Sequence, residues 1–166
     1  MKVFLFLIIV IFGARVAKAQ NGWIDYRIDN KLSVKLPKEP TPIKESSVYV
    51  RDKDTTAYII STFDCLKTAD LDSVQLASSA PTVSFAENFK NGIVGKMPGT
   101  TLGQVNIGKW NGYTSYRIEG GNTSKKLKLY IFTVIIGTNL YSLMVISHDN
   151  YNPIVKDSFF ASLVLN

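Results

Sequence analysis

The stretch VNIGKWNGYTSYRI, Val105 to Ile118, decides the fold. Asn111-Gly112 favours the positive φ angles of a type I′ turn, the tight connection that joins two antiparallel strands. Counting outward pairs Trp110 with Tyr113, Lys109 with Thr114, Gly108 with Ser115, Ile107 with Tyr116, Asn106 with Arg117 and Val105 with Ile118. Val105, Ile107, Tyr116 and Ile118 then share an apolar face. Asn106, Gly108, Ser115 and Arg117 share a polar one that ends in Trp110 and Tyr113. Slipping the pairing by one residue would exchange the faces, so the alternation fixes the register.

Outward from this hairpin, Leu127 to Ile136 is apolar on both faces, and so is Leu140 to Ser147, with Gly137-Thr138-Asn139 between them. Strands of that kind belong in the middle of a sheet covered on both sides. Towards the N-terminus, Ile24, Tyr26 and Ile28 alternate with polar residues, as do Leu32, Val34 and Leu36, which predicts a hairpin turning at Asp29-Asn30-Lys31. Pro37, Pro40 and Pro42 end its second strand, because proline brings no N–H to a ladder, and a loop follows. Residues 46–51 and 55–63 form a second hairpin around Asp52-Lys53-Asp54.

Between Asp64 and Thr100 the period changes. Phe85, Phe89 and Ile93 recur every four residues, so Thr82 to Val94 reads as an amphipathic helix, with Pro81 at its start and Gly95 and Pro98-Gly99 stopping it. Asp70 to Ser78 adds a short helical segment. A last helix starts at Asn152-Pro153, the Asn as cap, and turns Ile154, Val155 and Phe159 inward. Together these pieces predict an α+β fold. An antiparallel sheet of six to eight strands is flanked by helices on both faces, an α/β/α sandwich.

Residues 1–19 stand apart from that fold. Met1-Lys2 is a short positive start, Val3 to Phe12 is unbroken apolar sequence, and Ala17-Lys18-Ala19 offers the small residues a signal peptidase reads. Cleavage is expected before Gln20, leaving residues 20–166 as a single exported domain, periplasmic or secreted. The apolar run is ten residues long, whereas a spanning helix needs about 20, so no stable membrane span remains after cleavage. Cys65 lies far inside the chain, so no lipid-accepting Cys follows the cleavage point.

Loss of the leader removes Lys2, Arg15 and Lys18, so the 19 bases fall to 16 against 13 acids, a net charge of +3. A nucleic-acid binder concentrates basic residues in a stripe. Lys125, Lys126 and Lys128 are the one candidate here, and they read as a lysine-rich hairpin edge that discourages aggregation. Nucleic acid is therefore not an expected partner.

The order of elements carries a resemblance. An aromatic-initiated hairpin ending in proline (WIDYRIDNKLSVKLP, Trp23 to Pro37), a second hairpin, a helix, a meander and a terminal helix closing in Ser158-Phe159-Phe160 resemble the PsbP/Mog-like superfamily, which includes exported bacterial proteins of the DcrB type. The resemblance spans Trp23 to Asn166 and implies an α/β/α sandwich. PsbP-like members assist photosystem II and Mog-like members bind a nuclear GTPase, but no motif in this chain carries either role across. Function is not borrowed from fold.

Catalytic groups are scarce. With one Cys and one His in the chain, Cys65 and His148 are the only residues for a thiol nucleophile and its base, and they need hydrogen-bond contact to act. Asp52, Asp54, Asp70 and Asp72 read as turn and cap residues, since no loop has the alternation of an EF-hand. Gly92, Gly95 and Lys96 suggest a phosphate loop, but Met97 stands where Ser or Thr is required. No catalytic, metal or cofactor site is therefore assigned. Asn122-Thr123-Ser124 is a formal glycosylation sequon.

The expected function is binding of a protein or cell-envelope component as a non-enzymatic accessory factor. Trp110 and Tyr113, with Arg117 on the same face, are the candidate partner-binding residues. The alternatives are a hydrolase or thiol enzyme using Cys65/His148 or a carboxylate cleft, and a carrier holding a small apolar ligand between sheet and helix.

Overall fold

The computed structural model describes residues 22–44, 46–148 and 153–166. The expected leader, its cleavage point before Gln20 and the cap residue Asn152 lie outside the described residues. In chain order the described strands and helices begin with β1 (Ile24–Arg27), β2 (Leu32–Leu36), β3 (Thr41–Lys44), β4 (Ser47–Arg51) and β5 (Ala57–Asp64). Helices α1 (Cys65–Ala69), α2 (Ser73–Ser79) and α3 (Val83–Lys96) follow. Then come β6 (Thr101–Leu102), β7 (Asn106–Trp110), β8 (Tyr113–Asn122), β9 (Leu127–Ile136), β10 (Asn139–His148), α4 (Pro153–Ala161) and β11 (Val164–Leu165). The fold is α+β, and these elements sort into two compact units: residues 22–40 with 153–166, and the described residues of 41–148.

The smaller unit is a three-stranded sheet in the order β1-β2-β11, with α4 packed on β2. Its turn is shaped by Asp29, whose carboxylate accepts the backbone N–H groups of Lys31 and Leu32 at 2.7 and 3.1 Å. Leu32, Val34 and Leu36 are buried, as their alternation predicts. β11 pairs along the β2 side of this hairpin, and the three strands form a sheet of their own. In α4 the inward residues are Ser158, Phe159 and Phe160, while Ile154 is 40% exposed. The last turn is held by the Trp23 ring 6.4 Å from that of Phe159 and by the Ser162 hydroxyl, which accepts the Lys35 N–H at 3.0 Å.

The larger unit is an eight-stranded antiparallel sheet in the order β3-β4-β5-β10-β9-β8-β6, with β7 also on β8. Asn111 and Gly112 have φ of 48° and 84°, and the β7–β8 ladder runs from Trp110–Tyr113 to Asn106–Arg117 in the expected register. Both faces of β9 and β10 are buried: Leu129, Ile131 and Leu140 on one, Phe132, Val134, Tyr141 and Leu143 on the other. Gly120 sits where β6 crosses β8 so closely that a Cβ there would stand 2.2 Å from the Thr101 carbonyl oxygen.

Three local expectations change. The segment after Pro40 forms strand β3 despite Pro42, because β3 is the sheet's outer edge and an edge strand tolerates a missing N–H. Helix α3 runs through Gly95 to Lys96, and Pro98 ends it instead by forcing Met97 out of the helical region, to φ −129° and ψ 74°. Lys125 and Lys126 occupy the turn between β8 and β9, which are interior strands, so the lysines mark an end of the sheet and not its edge.

Candidate functional site

Each helix between β5 and β6 is started by a side chain that satisfies its free N–H groups. Asp64 accepts from Leu66 and Lys67 to begin α1, Asp72 and Gln75 form a capping box on α2, and Thr82 accepts from Phe85 to begin α3. The buried Tyr116 hydroxyl then donates to the Ala80 carbonyl, pinning the corner between α2 and α3 to the middle of the sheet. Ala86, fully buried, lets α3 approach the sheet at its first turns, where the Phe89 ring lies 5.8 Å from that of Tyr116.

Farther along, α3 does not close onto the sheet. Gly92 faces the gap, and an added Cβ there would meet nothing within 4 Å. The result is a cavity of about 590 Å³ between α3 and the sheet, within the roughly 300–1,000 Å³ of small-molecule sites. Its roof is the stripe Phe85, Phe89, Ile93 and Met97, its floor is Phe63, Leu140 and Met144, and Cys65 and Leu71 also line it. Lys96 is the single charged residue of the lining. Its ammonium lies 5.9 Å from the centre of the Phe63 ring.

The floor carries a polar row that strand pairing assembles. Ser47, Ser61, Ser142, Thr133 and Tyr116 stand opposite one another in turn across β4, β5, β10, β9 and β8. Ser47 and Ser61 hydroxyls are 2.9 Å apart, and the Thr133 hydroxyl donates to Ser142 at 3.4 Å. With those hydroxyls partnered, most of the wall that faces the cavity is carbon.

Cys65 is buried, and burial, followed by the nearby Asp64 carboxylate, pushes its thiol above the ordinary range. A protonated thiol is a poor nucleophile. Its backbone N–H bonds the Thr138 carbonyl at one end of β10, whereas His148 ends β10 at the other. With the strand rise of about 3.4 Å per residue, roughly 30 Å separates them. They therefore do not form the Cys–His pair considered from the sequence. Among the described residues no three His, Cys, Asp or Glu side chains gather as a metal site.

Trp110 and Tyr113 pair across the hairpin tip, half-buried and 37% exposed. Arg117 lies on the same strand face, its guanidinium carbon 4.9 Å from the centre of the Phe132 ring. The sequon residue Asn122 is 4% exposed. Its amide donates to the Pro98 carbonyl and accepts from Ser124 and Lys125, so the folded chain offers no free acceptor for a glycan.

The sequence offered an apolar ligand between sheet and helix as an alternative and named Phe85, Phe89 and Ile93 as a helix stripe, but it did not join them with Phe63, Leu140, Ser142 and Met144 into one site. Their signal was the hydroxyl in each two-faced apolar strand, Thr133 and Ser142, and a glycine beside the apolar stripe of a helix.

No family model and no curated protein matches the chain. Solved structures do. PsbP of the cyanobacterium Synechocystis sp. PCC 6803 superposes with a TM-score of 0.63 at 13% identity, over 87% of this chain and 92% of that one. LpqN of Mycobacterium tuberculosis, described as involved in cell envelope biogenesis, superposes with a TM-score of 0.50 at 14% identity, over 87% of this chain and 90% of that one. The chain has a PsbP-like α+β fold, and at these identities the likeness is one of fold.

Proposed function

We propose that the chain is an exported, non-enzymatic accessory domain of the cell envelope, periplasmic or secreted, with residues 20–166 as the mature domain, and that it holds a small apolar ligand beneath α3. The cavity of about 590 Å³ is the observation that carries this reading. Export is supported by the charged, apolar and small-residue order of residues 1–19. The envelope role is supported by fold likeness to LpqN, and the non-enzymatic role by a protonated, buried Cys65 remote from His148. No helix among the described residues is long and apolar enough to cross a membrane.

The test is a titration of purified mature protein with N-phenyl-1-naphthylamine, an uncharged probe that fluoresces in apolar surroundings, followed by displacement with hexadecanol. Saturable binding at one probe per chain is expected. A chain that leaves the probe dark would overturn the proposal.

A second surface is favoured by the 37% exposure of Tyr113 at the β7–β8 tip. There Trp110, Tyr113 and Arg117 offer two rings and a cation to a protein or envelope partner.

A further inference from the structure

We infer that the ligand beneath α3 is an anionic single-chain amphiphile, its chain between α3 and the sheet and its carboxylate or phosphate head at Lys96. This rests on the proposed apolar site and specifies its ligand class. The lining holds one cation and no carboxylate, so the only formal charge facing a ligand is positive. Lys96 is exposed at the C-terminal turn of α3 and forms no ion pair among the described residues. Among the described residues its ammonium is partnered by the Phe63 ring. That contact holds the ammonium over an apolar residue that also lines the cavity, the placement a head group needs if its tail is to run inward. The nearest acid in sequence to the cavity floor, Asp64, is engaged elsewhere: it caps α1 and pairs with Lys67 at 3.6 Å.

The size of the space selects one chain. A volume near 590 Å³ sits mid-range for a single small ligand. Phe89, Ile93 and Met144 offer an aliphatic and aromatic lining, and the hydroxyls of Ser61 and Ser142 already bond to Ser47 and Thr133. Thr68 and Asn88 are the other polar residues of the lining, and Lys96 supplies its one charge.

The experiment compares hexadecanoate, hexadecanol and hexadecyltrimethylammonium as displacers of N-phenyl-1-naphthylamine from the mature protein and from Lys96→Gln, Lys96→Arg and Gly92→Leu. Hexadecanoate should displace the probe about fivefold better than hexadecanol at low salt, the scale of an exposed ion pair, with the ammonium weakest. The preference should vanish in Lys96→Gln, persist in Lys96→Arg and shrink as salt is raised. Equal displacement by acid and alcohol, both blocked by Gly92→Leu, would overturn the anionic assignment and leave the apolar site standing. An acid preference that survives in Lys96→Gln would overturn it too. Failure of all three compounds would remove the site and the assignment together.

Discussion

Replacing Gly92 by Leu should make the protein more stable and worse at binding, and the two effects can be worked out separately. Gly in a helix interior costs about 0.8–1 kcal/mol relative to a good helix former, so Leu recovers most of that. Gly92 is exposed and an added Cβ meets nothing within 4 Å, so a Leu side chain fits there without clash and, from a position that lines the cavity, can lie against its apolar wall. Half-burying it there adds about 1 kcal/mol. A total near 1.5–2 kcal/mol corresponds to a rise in melting temperature of about 3–8 °C for a chain of this size. The same four carbons displace ligand. If they exclude three or four methylene groups, at about 0.8 kcal/mol each, affinity falls by about 2.4–3.2 kcal/mol, or roughly 60- to 220-fold. Gly95→Leu is the control: it lies on the same helix, an added Cβ also meets nothing, and it does not line the cavity. It should give the helix gain of about 0.8 kcal/mol and leave binding alone. Calorimetry and probe titration on the two variants decide the matter. If Gly92→Leu is stabilised yet binds as tightly as wild type, the ligand is not beneath α3; if it is destabilised while Gly95→Leu is not, the space beneath α3 is not open.

Other outcomes follow from single features. Trp110→Ala with Tyr113→Ala should cost about 0.2–1 kcal/mol of stability while abolishing capture of an envelope partner; undiminished capture by a folded double variant would rule out the hairpin tip. Gly120→Ala should lose about 1–3 kcal/mol or more in urea denaturation, because its Cβ would stand 2.2 Å from Thr101 oxygen and 2.7 Å from Leu102 Cδ2, and a near-neutral result would contradict the β6–β8 geometry. The fold favours the neutral Cys65 thiol, so its contribution is complete below the unfolded pKa of about 8.5 and is lost as pH rises through the raised folded value. The stability difference between wild type and Cys65→Ala should therefore be flat below about pH 8 and shrink at alkaline pH. At pH 7.5 a thiol reagent should label Cys65 more slowly in the folded protein than in urea, and hexadecanol should slow it further.

Much of the sheet was legible because its signals are local. Asn111-Gly112 sets its own turn, and the alternation of Val105 to Ile118 leaves one register that keeps polar groups out of the core. The stripe Phe85, Phe89, Ile93 likewise identifies α3. Where one local rule competes with a tertiary one, the sequence misleads: Pro42 reads as a strand breaker until β3 is seen to be an edge, and Ile154 reads as core although it is 40% exposed and Phe159 and Phe160 are the buried rings of α4. The cavity was less legible for a different reason. Ser61, Thr133 and Ser142 belong to three strands that become neighbours only through the order β5-β10-β9, and the gap above them lies between that sheet and a helix distant in sequence from β9 and β10. Neither is a pattern along the chain.

The path from β5 to β6 gives the site a dynamic character of its own. The sheet places β10, β9 and β8 between those two strands, so residues 65–100 cross it as one long bridge. That bridge is tied to the sheet's backbone by the Cys65–Thr138 hydrogen bond at one end and the β6–β8 pairing at the other. Between those moorings it is held by side chains. Leu76, Ala80 and Ala86 hold its first part in the core, whereas opening the later turns of α3 breaks no strand ladder, so the proposed guest would enter and leave by a partial opening less costly than global unfolding. Deuterium should accordingly reach the amides of α3 long before those of β9 and β10, and a bound guest should narrow that interval.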